Sequence, residues 1–261
     1  DDELNIQPDI AKNWTFNDST LTYTFNLRND VYFHKSEVFA GSYKDSTRNV
    51  TAQDFEYSFN RLLDEKVAAR GRWVLNNVDH FYAENDSTFS IQLNQPFPAF
   101  LGLLSMRFCS VVPKEAIDYY GNDFRSNPVG TGPFKFKFWE ENVKLVLRRN
   151  PDYFETDEFG NQLPYLEAVA ITFLPDKQSE FLQFVQGKLD FVSGLDNSYK
   201  DEIVSTKGKL QEKYKNQVNL ITSPYLNTEY LGFFMDSPTS EIQSKKIRQA
   251  INYGFDRVKM I

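Results

Sequence analysis

The stretch Asn127-Pro128-Val129-Gly130-Thr131-Gly132-Pro133-Phe134 constrains the fold more than any other part of this chain. Proline fixes φ and removes a backbone donor, and glycine reaches angles closed to other residues, so two of each in so short a run predict a sharply shaped turn. The phosphate-cradling alternatives fail. A Walker loop ends in Gly-Lys-Ser/Thr, and a dinucleotide fingerprint needs a third glycine opening a helix. Here Pro133 is followed by a strand-like run, Lys135 to Trp139. The loop is expected to answer backbone demands and to make no ligand contact.

Periodicity places the flanking elements. Leu21, Tyr23, Phe25 and Leu27 alternate with polar residues, which argues for a half-buried strand, and Asn17-Asp18-Ser19 before it is hairpin-turn chemistry. Thr51-Ala52-Gln53-Asp54 starts a helix with a capping residue and a carboxylate in the first turn, and Phe55, Phe59, Leu62 and Leu63 fall on one face. Further strands are predicted at Phe89 to Leu93, Val143 to Leu147 and Val169 to Phe173, and short helices at Ala99 to Leu104 and Glu115 to Tyr120. Residues 177 to 186 read as a helix with Phe181, Leu182 and Val185 inward, and Gly187 to Phe191 as a returning strand. That β-α-β order predicts an α/β lobe with some parallel pairing. Arg-Arg-Asn-Pro near residues 148 to 152 suggests a domain boundary. A last amphipathic core helix is expected from about Glu241 to Tyr253.

Composition excludes several functions. The net charge is −7 and no basic stripe is present, so nucleic-acid binding has no electrostatic support. Cys109 is the one cysteine, which excludes a disulfide scaffold and a zinc–cysteine cluster; it reads as a small buried hydrophobe. His34 and His80 lie far apart without metal-ligand spacing, and Asp152 to Asn161 only roughly approaches a calcium loop and reads as a polar turn. No apolar run approaches the ~20 residues that span a bilayer. The start at Asp1-Asp2-Glu3, without a signal peptide, and the stop at Met260-Ile261 read as cut ends of a longer protein.

Two clusters carry candidate chemistry. In Ala69-Arg70-Gly71-Arg72-Trp73, guanidinium groups beside an indole suit a carboxylate and a planar group; the plainer alternative is a charged surface turn anchored by Trp73. Arg107 interrupts the apolar stretch Ala99 to Pro113, and either snorkels to solvent or awaits an anion. Aromatic content of 16% suits a core or a stacking cleft.

Several motifs in order resemble the extracytoplasmic solute-binding proteins of family 5, which serve peptide and nickel ABC importers. The Gly-Pro loop and Arg149-Asn150-Pro151-Asp152-Tyr153 resemble that signature. Pro8-Asp9-Ile10-Ala11-Lys12-Asn13-Trp14 is similar to the family's proline-x-leucine-alanine-x-x-tryptophan, and Leu21 to Arg28 resembles its first hairpin. Val31 to His34 followed by Val50 to Ser58, Gly187-Lys188-Leu189-Asp190, and Ile247 to Arg257 match further family stretches. Between His34 and Val50 the family has a short Asp-Gly turn, whereas this chain inserts Lys35 to Asn49, which reads as an exposed loop.

The resemblance implies a mixed α/β fold of the periplasmic binding protein type, class II. Residues 1–148 would form the β-rich subdomain of lobe I and 149–261 part of that lobe's α/β core, with the second lobe absent from the chain. It implies a non-enzymatic ABC-importer component, without cofactor or metal, that closes around a peptide or other small solute and passes it to a permease. The protein would be monomeric, bind no nucleic acid, and lie in the periplasm or another extracytoplasmic space, lipid-anchored at full length. The nickel-chelate branch has an Arg-x-x-Trp pair facing the cleft, and Arg70 and Trp73 have that spacing. Trp73 and Arg70 are therefore the expected cleft wall, with Arg107 behind them. Two alternatives compete: a carbohydrate-acting enzyme with an aromatic cleft, and a peptide sensor of the same fold that does not transport.

Overall fold

The computed structural model describes residues 5–222, 230–236 and 240–256. Both chain ends, and Arg257 of the last motif, lie outside the described residues. The chain divides into two compact units, one through Glu180 and one from Phe181.

The first unit begins with β1 (Ala11–Asn17) and β2 (Thr22–Leu27), the predicted hairpin. Its turn is set by Asn17, whose Oδ1 accepts from the backbone N–H of Ser19 and Thr20. With β3 (Val78–Asn85) and β4 (Thr88–Leu93) it makes an antiparallel sheet of order β1-β2-β4-β3. The alternation read from the sequence is the one buried: Tyr23, Phe25 and Leu27 of β2 and Phe89, Ile91 and Leu93 of β4 all face the core.

Helix α1 (Ala52–Leu63) covers that face with Phe59 and Leu62. Its start is fixed by Asp54, whose Oδ2 accepts from the backbone N–H of Thr51 at 2.8 Å. Glu56 then ties the helix to the sheet by accepting from the N–H of Ala83. Two short helices follow, α2 (Phe100–Leu104) and α3 (Lys114–Tyr120). A second antiparallel sheet is built from β5 (Phe134–Glu140), β6 (Lys144–Arg149) and β7 (Ala168–Thr172), in that order. The stretch 148–152 thus lies within the first compact unit, where β6 leads on towards β7.

The inserted segment after His34 is exposed along residues 40–45, as its charged residues suggest, but it is anchored at two points. Phe39 is fully buried beside Phe33 in a second core cluster. Arg48 lies over the rings of Phe33 and Phe39 and forks onto two carboxylates, Asp54 of α1 and Glu115 of α3. Burying one phenylalanine contributes about 1.5–3 kcal/mol, enough to hold a short segment down despite polar neighbours.

The second unit has a small core of its own. Phe181 stacks on Tyr199 at 4.7 Å, and Ile203, Val204 and Tyr214 complete the cluster. Helix α4 (Lys177–Val185) turns in Phe181 as expected, but Leu182 and Val185 are exposed. Gly187, in the left-handed region (φ 69°), ends it: its N–H bonds Phe184 O and that of Lys188 bonds Gln183 O. The strand expected at Gly187 to Phe191 does not form. A strand needs a neighbour for its ladder, and none of the described residues supplies one; all described strand pairing is antiparallel. Helix α5 (Lys200–Ile203) closes the core. The single last helix expected is two, α6 (Ser240–Gln243) and α7 (Lys245–Gly254), separated by Ser244, whose ψ of 117° is extended. Ile247 and Tyr253 of α7 are exposed, so its apolar face is not a core face among the described residues.

Candidate ligand-binding site

Gly130 and Gly132 do not sit at positive φ, and a Cβ on either would meet nothing within 4 Å, so the Gly-Pro loop is not shaped by glycine's special angles. Side chains from two other motifs hold it instead. The backbone N–H of His34 donates to Gly130 O at 2.7 Å, and its Nε2 lies 2.9 Å from Gly132 O. Asn150, itself buried, donates from Nδ2 to the same Gly132 O at 3.1 Å and from its backbone N–H to Pro133 O at 2.8 Å. The three motifs far apart in sequence are one knot in space. Burial pushes the His34 imidazole below its usual pKa, and Lys135 adds to that, so the ring is held neutral and Nε2–H is the donor.

A cavity of about 610 Å³ opens beside this knot. Its apolar wall comes from the first sheet, α1 and α2, with Trp14, Phe25, Phe55, Phe59, Phe89 and Leu104 among the lining residues. Gly130, Thr131 and Gly132 line it as well, so the loop expected to make no ligand contact forms part of a cavity wall. Asp9 and Arg107 are the charged side chains in the lining. Burial and the neighbouring Glu155 raise the proton affinity of Asp9, against the pull of Arg28. Glu155 in turn accepts from the Tyr153 hydroxyl at 2.6 Å. Cys109 also lines the cavity; burial lifts its thiol to about 11, which leaves it protonated and a poor nucleophile at neutral pH.

At the cavity rim two turns meet. The segment carrying Arg107 is pinned to α1, since Ser58 Oγ accepts from the Val112 N–H at 3.0 Å. Gly71 packs so closely on the next residue, Phe108, that a Cβ there would lie 2.4 Å from the ring. Trp73 meets the Phe108 ring edge-on at 6.4 Å, and the Arg107 guanidinium lies 5.7 Å from that ring's centroid. The structure therefore brings Trp73 and Arg107 together through Phe108. Trp73 is 47% exposed, and Arg107 is exposed too. Arg70 is exposed on the same turn, and neither Arg70 nor Arg107 has a carboxylate partner among the described residues, whereas Arg72 pairs with Glu65.

Gly71 and Phe108 escaped the sequence reading, although a glycine between two arginines marks a place where another side chain approaches closely. Asp9 was noted only as part of a motif. Among the described residues no three His, Cys, Asp or Glu side chains gather to hold a metal ion, and no helix is long and apolar enough to cross a membrane.

Comparison with known proteins agrees with this architecture. The family model described as bacterial extracellular solute-binding proteins, family 5 Middle, matches residues 5–261. The chain is 27% identical to heme-binding protein A of Haemophilus influenzae, over 98% of this chain and 46% of that protein. It is likewise 27% identical to the periplasmic oligopeptide-binding protein OppA of Salmonella typhimurium, with the same coverage, 98% and 46%. It thus spans about half the length of the curated relatives it matches. Among solved structures, the periplasmic binding protein DppA from Helicobacter pylori, in complex with peptide STSA, superimposes with a TM-score of 0.66 at 27% identity, over 76% of this chain and 40% of that one. NikZ from Campylobacter jejuni, in complex with Ni(L-His), gives 0.73 at 22% identity over 98% of this chain and 46% of that one, a likeness of fold. The mixed α/β fold of periplasmic binding proteins expected from the motifs is borne out. With every described residue inside the family match, the chain belongs to the bacterial extracellular solute-binding proteins, family 5.

Proposed function

We propose that this protein is the solute-binding component of an ABC importer, and that it captures short peptides and hands them to a membrane permease without altering them. On this reading it works in an extracytoplasmic space, lipid-anchored at full length. Residues 1 to about 148 form most of the β-rich subdomain and residues about 149 to 261 part of the first lobe's core. A second lobe outside this chain closes over the solute.

One observation carries the reading. Trp73 and Arg107 sit against one buried contact, Gly71 on Phe108, and both remain open to solvent. An arginine without an internal carboxylate partner presents a planar fork that suits a peptide carboxylate, and an exposed indole edge suits stacking on a planar amide or ring. Arg70, one turn away, offers a second fork. Peptide relatives lend support: OppA is named for oligopeptides, and the DppA structure holds the peptide STSA.

Closure over a solute shifts an open–closed equilibrium by the ligand's differential affinity for the two states. The test is calorimetry of peptide binding to the full-length protein, second lobe included, and to its Trp73→Ala variant. The substitution is expected to weaken binding roughly tenfold, about 1.4 kcal/mol, without a large loss of stability, because the indole is half exposed. Unchanged affinity removes Trp73 from the site.

A further inference from the structure

A second, smaller cavity, of about 110 Å³, borders the Asn127-Pro128-Val129 start of the Gly-Pro loop. It is well below the about 300 Å³ at which sites for drug-sized ligands begin, yet it has room for several waters or one small ion. Its lining includes His34, Lys35, Ser36, Tyr120, Asn127 and Lys135. Both charged lining residues are lysines, and no carboxylate lines the cavity. Lys35 meets Asp152 at 3.0 Å, but both side chains are nearly half exposed, and such a pair contributes little. Lys135 makes no ion pair among the described residues. Directly across the β5–β6 ladder from it stands Arg148, exposed and likewise without an ion pair among the described residues. Cross-strand partners share a face, with Cβ atoms about 4.5–5.5 Å apart, and like charges so placed repel. At His34, burial and then the Lys135 charge disfavour the imidazolium, which sets that charge close to the ring. The chain carries 36 acidic against 29 basic side chains, so two adjacent cations left without a carboxylate do not follow from composition. Asn127 donates one amide hydrogen to Asp123 O at 3.0 Å and has a second to give.

We infer that this cavity binds one small tetrahedral oxyanion of the phosphate class. Lys135 and its cross-strand neighbour Arg148 supply the charge, Lys35 a further cation, and Asn127 an amide hydrogen. The anion turns the repulsion between Lys135 and Arg148 into charge-assisted hydrogen bonds to both. Lys35 and Ser36 open the inserted segment, so the site belongs to this chain's insertion and stands apart from the peptide-binding reading above.

Calorimetric titration of the full-length protein with inorganic phosphate, at constant ionic strength in chloride, tests it. Saturable one-to-one binding is expected, and phosphate should raise the unfolding temperature. Lys135→Gln and Arg148→Gln are each expected to weaken binding about tenfold or more, the loss of one charge-assisted hydrogen bond. Lys144→Gln removes the same charge at the other end of β6 and should leave phosphate binding unchanged. Should Lys135→Gln fail to fold, Arg148→Gln, at an exposed position, carries the test. Glycerol 3-phosphate separates two sources of the oxyanion, and either result supports the site. Affinity equal to that of phosphate assigns it to the head of an ester, and clearly weaker binding assigns it to the free ion. Absence of saturable binding, or an equal loss in Lys144→Gln and Lys135→Gln, overturns the site and leaves the peptide reading untouched.

Discussion

Arg48 and Arg107 are both arginines beside phenylalanine rings, yet the protein uses them in opposite ways. Arg48 is only 15% exposed along its side chain and is saturated: it forks onto Asp54 with contacts of 2.7 and 2.8 Å and onto Glu115 with two of 2.7 Å. It holds Glu115 below the usual carboxylate range, chiefly through those hydrogen bonds. Arg107 rests on Phe108 and offers its fork to solvent. A guanidinium with two internal carboxylates organises structure. One with an aromatic seat and no internal anion is free to organise a ligand. The same contrast separates Arg72, paired with Glu65, from Arg70 on the same turn.

The sharpest way to break the comparison is Arg48→Ala. It strands the buried Asp54 carboxylate and frees the inserted segment, and it should cost about 3–5 kcal/mol in urea unfolding. Arg48→Lys should recover only part, since an ammonium cannot fork onto two carboxylates at once. Arg107→Ala is expected to leave the urea midpoint in place. If the two alanine variants lose comparable stability, the division into structural and ligand-facing arginines is wrong.

A smaller effect is expected at Gly71→Ala. The added methyl collides with the Phe108 side chain at its Cβ and ring root, atoms that a rotamer change moves little, so a loss of about 1–3 kcal/mol should appear in thermal unfolding. Combining it with Phe108→Gly should cost less than the sum of the single changes, because the second removes both the Cβ and the ring that the methyl meets. Strict additivity would show that Gly71 and Phe108 do not seat the turn together.

How far the sequence reached differs by element, for physical reasons. The β1–β2 hairpin and α1 were legible because local rules decide them: period-two burial from Leu21 to Leu27, and a capping carboxylate three residues after Thr51. The inserted segment was half legible: Lys35, Lys44 and Asp45 are exposed as their charge suggests, while the anchors at Phe39 and Arg48 depend on partners such as Ala116 and Glu115 of α3, far away in sequence. Residues 187–191 carry strand-like alternation, but a ladder is a property of two segments, and only one was visible. At the site, Arg70, Trp73 and Arg107 could be picked out by type. Phe108, which joins two of them, and Asp9, which faces the same cavity, could not, since convergence in space leaves no mark in local pattern.

The knot around the Gly-Pro loop gives the mildest test, and it turns on which residues answer to solvent conditions. Burial lowers the folded pKa of His34 below its ordinary value of 6.5. Between those two values the unfolded chain binds a proton that the folded chain refuses, so the stability this group supplies is complete above about pH 6.5 and is lost as pH falls below it, with a slope of at most about 1.4 kcal/mol per pH unit. Glu115 acts in the same direction but only below its ordinary value of 4.5, so its contribution is separated in pH. Arg48 keeps its charge throughout, and the clamp it makes should not respond between pH 7 and 5. His34→Gln keeps a donor for Gly132 O and removes the titration. The difference in unfolding free energy between the two proteins should therefore shrink from pH 7 toward pH 5. Parallel curves would mean that a charged imidazole is tolerated against the loop, and that Asn150, through its two hydrogen bonds to Gly132 and Pro133, is enough to hold it.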